Sequence, residues 1–198
     1  DVDKKRALKI TKKVKKYIDI IEMGTPLIKR EGLKIVKSFK KFRKPIVADL
    51  KTMDTGFLEA EFAFKAGAKI TTVSATADDS TIKSAVKAAK KYKGKVVVDF
   101  IGVDNITKRA IEVIKMNTNY ICIHTSIDSQ HKGKNPFSDL KKVSKIISSK
   151  KIAVAGGINE KTINKIIRYK PEIIIVGGAI TKSKNPEQIA RLLKEKLK

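Results

Sequence analysis

Lys44-Pro45-Ile46-Val47-Ala48-Asp49-Leu50-Lys51-Thr52-Met53-Asp54 is an apolar run of strand length that starts at a proline and ends in charge. An almost uninterrupted apolar strand suits a sheet covered on both faces, which is the parallel arrangement. Side chains alternate along a strand, so Asp49 and Lys51 point the same way, and Asp54, beyond the strand end, can curl back over the same mouth. Charges this close are paired or bound to something, because an unpaired buried charge is very costly. From these residues alone, an ion pair closing a strand and a working site are both open readings.

The same beat runs outward through the chain. Ala7, Leu8, Thr11 and Val14 recur at helical spacing with Asp3 as N-cap. Residues 17–24 read as a strand, followed by a helix with Leu33, Ile35, Val36, Phe39 and Phe42 on its inner side. After the Asp49 strand, Leu58, Phe62 and Ala66 support a helix over 57–67 that stops at glycine. A strand at 69–75 leads to a helix capped by Asp79 or Ser80 and carrying Ile82, Ala85, Val86 and Ala89. Strands at 95–102, 120–126, 151–158 and 173–180 then alternate with helices at 105–117, 138–149, 160–169 and one starting at Asn185-Pro186-Glu187. Asn as N-cap with Pro at the first helical position defines that last start.

Eight helices and seven strands in strict alternation predict an α/β fold with a buried parallel sheet. A helix in first place implies a strand before Asp1 that would complete a (β/α)8 TIM barrel, its first strand lying outside these 198 residues. On that reading the chain is a single barrel domain and a piece of a longer protein, since an unclosed barrel exposes two sheet edges. A doubly wound open sheet is the alternative. The one long connection, 127–136, is a candidate lid.

The composition, 41% hydrophobic and 33% charged, fits a globular domain. Cys122 is the only cysteine, which excludes an internal disulfide and suits a reducing compartment. No apolar run reaches membrane-spanning length and no signal-peptide pattern opens the chain, so a cytoplasmic location is expected. The net charge of +25 invites a nucleic-acid reading, that of a non-catalytic basic barrel. The lysines fall mostly between apolar positions of helical period, however, and no interleaved aromatics or zinc-finger spacing accompany them. A solvated basic surface that attracts anionic substrates is the expectation, without a specific nucleic-acid partner.

In a barrel, residues at the C-terminal strand ends share one mouth. These are Glu22, Asp49, Lys51, Asp99, His124 and the pairs Gly156-Gly157 and Gly177-Gly178. Two carboxylates on adjacent strands, Glu22 and Asp49, suit Mg²⁺, which takes few protein ligands and keeps waters; a Glu22–Lys51 salt bridge is the structural alternative. His124 is a candidate acid/base group or a satisfied core histidine, and Asp99 can orient it, hold a substrate hydroxyl or serve structure alone. Cys122 sits deeper on the same face and reads as packing, and His131 as solvent-exposed. Paired glycines in two consecutive units point to a phosphate held by backbone N–H groups.

With Asp49-x-Lys51-x-x-Asp54, Ile21-Glu22-Met23-Gly24-Thr25-Pro26, Ile123-His124-Thr125 and Gly177-Gly178-Ala179-Ile180-Thr181, the chain resembles the orotidine 5′-monophosphate decarboxylase superfamily, and within it the 3-hexulose-6-phosphate synthase family. That resemblance implies a Mg²⁺-dependent aldehyde-lyase that reversibly joins formaldehyde to D-ribulose 5-phosphate through an enediolate, giving D-arabino-hex-3-ulose 6-phosphate. It implies Glu22 and Asp49 as metal ligands, Lys51 steadying the enediolate, and His124 as acid/base with Asp99 near the substrate hydroxyls. It further implies phosphate binding at Gly156, Gly157, Gly177, Gly178 and Ala179, and a homodimer in which Asp54 reaches a neighbouring subunit's site. The rival within the superfamily is 3-keto-L-gulonate 6-phosphate decarboxylase, which usually carries Arg after the first glycine of the last loop, where this chain has Gly178 and Ala179. The superfamily's first strand ends in a substrate-touching Asp, to which Asp1 is a candidate match.

Overall fold

A computed structural model describes residues 3–197. Asp1, and with it the first-strand match, lies outside the described residues. Among the described residues, seven strands form one all-parallel sheet in sequence order: β1 (Ile21–Met23), β2 (Ile46–Thr52), β3 (Ile70–Ser74), β4 (Lys95–Asp99), β5 (Tyr120–His124), β6 (Ile152–Ala155) and β7 (Ile173–Ile175). Each strand is followed by helix before the next begins, the succession of an α/β barrel of the TIM type.

Period-two alternation sorts the strands' side chains into two layers. Ile46, Ala48, Val73, Val96, Val98, Ile121, Ile123, Ile152 and Val154 face outward against the helices. Val47, Ile70, Val97, Cys122, Ala153 and Ala155 face inward and pack on one another across the sheet's concave side. Cys122 is thus a packing residue, and its burial pushes its thiol well above the ordinary range, with Asp99 adding to the effect.

The opening helix runs Lys4–Val14, with the Asp3 carboxylate accepting from the Arg6 N–H at 2.7 Å. The last runs Pro186–Glu195, with Asn185 capping the Gln188 N–H at 3.2 Å. Lys16–Glu187 and Lys194–Asp19 ion pairs, at 3.1 and 2.7 Å, join the two ends of the chain. No helix among the described residues is long and apolar enough to cross a membrane.

Several expected boundaries shift. The strand expected at 17–24 contracts to β1, because Tyr17 still closes the helix's last turn on the Val14 carbonyl. The helix expected after it is two helices, Thr25–Glu31 and Ile35–Phe39, broken at Gly32. Asp78, not Asp79 or Ser80, is the N-cap of Asp79–Tyr92. Leu58 and Phe62, whose spacing marked the helix, are 46% and 48% exposed. Their helix, Gly56–Ala66, buries Ala60, Ala63 and Phe64 instead, because small residues let it approach its neighbour closely. The helix expected over 160–169 keeps regular geometry only at Asn164–Ile167, and that over 138–149 only at Phe137–Val143. The strand expected over 173–180 ends at Ile175, since Gly178 already begins a short helix, Gly178–Thr181. The long connection contains a helical turn of its own, Ile127–His131, and His131 is exposed.

Candidate active site

Four inward rows end in a polar residue: Val47 is followed two positions on by Asp49, Ile70 by Thr72, Val97 by Asp99 and Cys122 by His124. Glu22 stands in the same phase on β1, between the outward Ile21 and Met23. The strand period therefore delivers these side chains to one mouth without any contact in sequence.

There they form a continuous chain of pairs. Lys51 Nζ lies 2.6 Å from Asp49 Oδ2 and 3.1 Å from Asp99 Oδ2, and Asp99 Oδ2 lies 2.9 Å from His124 Nδ1. The other Asp99 oxygen accepts from the Ile101 N–H at 3.0 Å. Burial alone would raise Asp99, but His124 and Lys51 outweigh it and hold the carboxyl below its usual range. Burial likewise disfavours the Lys51 ammonium, yet Asp49 and Asp99 prevail and its pKa is raised. Lys51 and Asp99 are accordingly charged at neutral pH. The bond from Asp99 to Nδ1 leaves Nε2 of His124 available on the open side.

Asp49 is held from two further directions. Thr25 Oγ1 lies 2.9 Å from Oδ2 and 2.7 Å from the Asp49 carbonyl oxygen, and Thr72 Oγ1 donates to Oδ1 at 2.8 Å. The roles of Thr25 and Thr72 went unread in sequence, although Thr72 lies two residues beyond Ile70 on the inward face, which was the available signal.

Glu22 stands apart. It forms no ion pair with Lys51, so the anticipated salt bridge is not made, and it has no hydrogen-bond partner among the described residues. Although open to solvent, it is crowded by protein atoms, and this burial together with the charges of Asp49 and Asp99 pushes its pKa to about 8, against the opposing pull of Lys51. An unpartnered carboxylate beside a second one, in a mouth with more carboxylates than ammonium groups, fits a hard divalent cation bound through oxygen. Among the described residues, no three His, Cys, Asp or Glu side chains cluster closely enough to enclose a metal themselves. A cation such as Mg²⁺, which takes one or two carboxylates and keeps its waters, is the type this donor set suits.

Asp54 does not return over its own mouth. It is exposed, and its carboxylate accepts from the adjacent Thr55 N–H at 2.6 Å, because the chain turns away at Thr55 to start the next helix. Gly156 and Gly157 adopt φ of 99° and 67°, and a Cβ at Gly156 would lie 2.4 Å from the Thr125 carbonyl oxygen, so this close crossing of the β5 and β6 ends requires glycine. Beyond β7, Gly177 is the N-cap of Gly178–Thr181, whose first-turn N–H groups at Gly178 and Ala179 have no intrahelical use.

The family described as "Orotidine 5'-phosphate decarboxylase / HUMPS family" matches residues 1–193 of the chain. The chain is 42% identical over 191 residues to the 3-hexulose-6-phosphate synthase of Bacillus subtilis (strain 168), covering 96% of this chain and 91% of that protein. The crystal structure of 3-hexulose-6-phosphate synthase from Salmonella typhimurium superposes with a TM-score of 0.97 at 36% identity, covering 100% of this chain and 94% of that one. The 3-keto-L-gulonate-6-phosphate decarboxylase from Vibrio cholerae is more distant, at 26% identity and a TM-score of 0.85, covering 100% and 93%.

Proposed function

We propose, from the premise that this chain belongs to the orotidine 5′-phosphate decarboxylase / HUMPS family, that it is an aldehyde-lyase joining formaldehyde to D-ribulose 5-phosphate. Its relatives in Bacillus subtilis and Salmonella typhimurium are enzymes, 3-hexulose-6-phosphate synthases. The observation that carries the reading is the paired chain Asp49–Lys51–Asp99–His124 beside the unpartnered Glu22.

Glu22 and Asp49 would hold Mg²⁺, which when bound polarises the oxygens of the sugar's carbonyl and hydroxyl groups. His124, its Nδ1 engaged by Asp99, has Nε2 free to take a proton from C1 of the ketose. The resulting enediolate carries negative charge that the Lys51 ammonium offsets at close range. C1 then attacks the formaldehyde carbon, and the new alkoxide takes up a proton, leaving a hydroxymethyl group; the reverse path releases formaldehyde. The N–H groups at Gly156, Gly157, Gly177, Gly178 and Ala179 receive the phosphate, and the basic surface favours approach of the anionic sugar.

A homodimer accompanies this reading. Met53, Leu58 and Phe62 are 55%, 46% and 48% exposed, and a cavity of about 290 Å³ lies beside them, lined by Ile28, Leu33, Leu50, Leu58 and Phe62. A second copy seated on this apolar face would also meet the outward-turned Asp54.

The test is formaldehyde consumption with ribulose 5-phosphate, with and without Mg²⁺. Metal-dependent loss supports the reading. No loss, with CO₂ released from 3-keto-L-gulonate 6-phosphate, would replace it with the decarboxylase; salt-sensitive binding of DNA or RNA in the absence of either activity would favour a basic barrel without catalysis.

A further inference from the structure

β2 and β3 fall out of register at the mouth. Ala48 pairs with Thr71 and Thr52 with Val73, so three residues of β2, Asp49, Leu50 and Lys51, stand opposite the single residue Thr72. This is a β-bulge, and at Lys51 φ reaches 50°, a left-handed conformation that residues with a Cβ rarely adopt. A bulge leaves ladder groups without partners, and here one side chain takes up the Lys51 N–H. The Thr72 hydroxyl accepts from the Lys51 N–H at 2.8 Å and donates to Asp49 Oδ1 at 2.8 Å. One hydroxyl proton and two lone pairs suffice for both bonds at once. Thr72 is 4% exposed, so water does not readily replace it.

We propose that Thr72 is a positioning residue, its hydroxyl coupling the orientation of the Asp49 carboxylate to the placement of the Lys51 ammonium. The inference deepens the lyase reading and rests on it for its catalytic consequence. Without the hydroxyl, the Lys51 N–H loses its partner, the left-handed turn loses its support, and Oδ1 of Asp49 is free to rotate about the contact that Thr25 keeps on Oδ2. The lysine then no longer returns reliably between Asp49 and Asp99.

The experiment compares Thr72→Val, which keeps the shape and removes the hydroxyl, with Thr72→Ser, which restores it. Amide hydrogen exchange, Mg²⁺ titration by calorimetry and steady-state kinetics are read on each protein. In Thr72→Val the Lys51 amide is expected to exchange on the order of tenfold faster while Val97 and Val98 keep their protection. Mg²⁺ affinity is expected to drop by about 10- to 100-fold, as for loss of a group that orients a ligand, with kcat falling more than KM rises. Thr72→Ser is expected to recover most of each loss. Unchanged Lys51 exchange in Thr72→Val, or a serine variant no better than the valine one, would overturn the coupling and leave Thr72 as packing alone. Should the unmodified protein neither bind Mg²⁺ nor consume formaldehyde, the functional reading fails, while the exchange measurement still decides the link between Thr72 and Lys51.

Discussion

Lys51 Nζ stands 3.1 Å from Asp99 Oδ2, so a lysine at the end of β2 is held by a carboxylate two strands away. The same oxygen serves His124, which makes Asp99 the point through which the cation and the imidazole are oriented together. Asp99→Asn keeps the shape but removes the charge that favours both. The expected result is a fall in kcat of about 10²–10³-fold, with the KM for the sugar phosphate altered much less. A raised KM with kcat unchanged would mean that Asp99 binds substrate uniformly instead of orienting Lys51 and His124.

Glu22 links metal binding to pH. Its pKa in the folded protein is raised from the ordinary 4.5 to about 8, so between those values the native state holds a proton that the unfolded chain has released. Stability contributed by this group is present at the low end of that window and is lost as pH rises through it. A cation bound there must displace the proton, so its binding strengthens over the same range. The increase in Tm caused by a fixed Mg²⁺ concentration is expected to be larger at pH 8.5 than at pH 6. Thermal scans giving the same Mg²⁺ increment at both values, or none in the unmodified protein, would count against Glu22 as a ligand.

Substitution at the mouth and on the surface should separate cleanly. Asp49→Asn is expected to lower turnover by at least about 10²-fold, whereas Lys90→Ala, on the exposed side of the helix Asp79–Tyr92, should stay within about twofold of the parent protein. Comparable activities for the two variants would contradict the site.

The outward turn of Asp54 allows a complementation test. If its carboxylate serves a neighbouring subunit, Asp54→Ala and Asp49→Asn homodimers are each nearly inactive, while a refolded equimolar mixture recovers up to about a quarter of parental activity, because half of the dimers are mixed and each has one intact site. No recovery from mixed dimers verified by mass spectrometry would restrict Asp54 to its own chain.

The apolar face is tested separately. Phe62→Glu places a charge on an exposed apolar position and is expected to shift the protein from dimer to monomer in analytical ultracentrifugation, with the monomer's circular dichroism unchanged. A parent protein already monomeric at micromolar concentration would remove the dimer from the reading.

Much of this was legible in the chain. The seven strands, their parallel order and the inward phase of Glu22, Asp49, Asp99 and His124 follow from nearly continuous apolar runs that end in polar residues. Cys122 as packing and Asp3 and Asn185 as helix caps were equally local, because a cap needs only its own next three residues. Leu58 and Phe62 marked their helix correctly, but apolar residues at helical spacing announce an apolar face, not whether the core or another surface covers it. Thr72 was silent because a threonine in a strand looks the same whether its hydroxyl idles or ties two strands together.

By itself, then, the sequence determined the order of elements and the face on which each charged residue emerges, since both depend on local periodicity. Tertiary structure alone decided which of those charges meet. Lys51 folds back onto Asp49 and Asp99 at the β2 bulge, Glu22 has no partner among the described residues, and Asp54 is exposed where the chain turns at Thr55. Those outcomes depend on register between strands far apart in the chain, where a shift of a single residue changes every distance in the mouth.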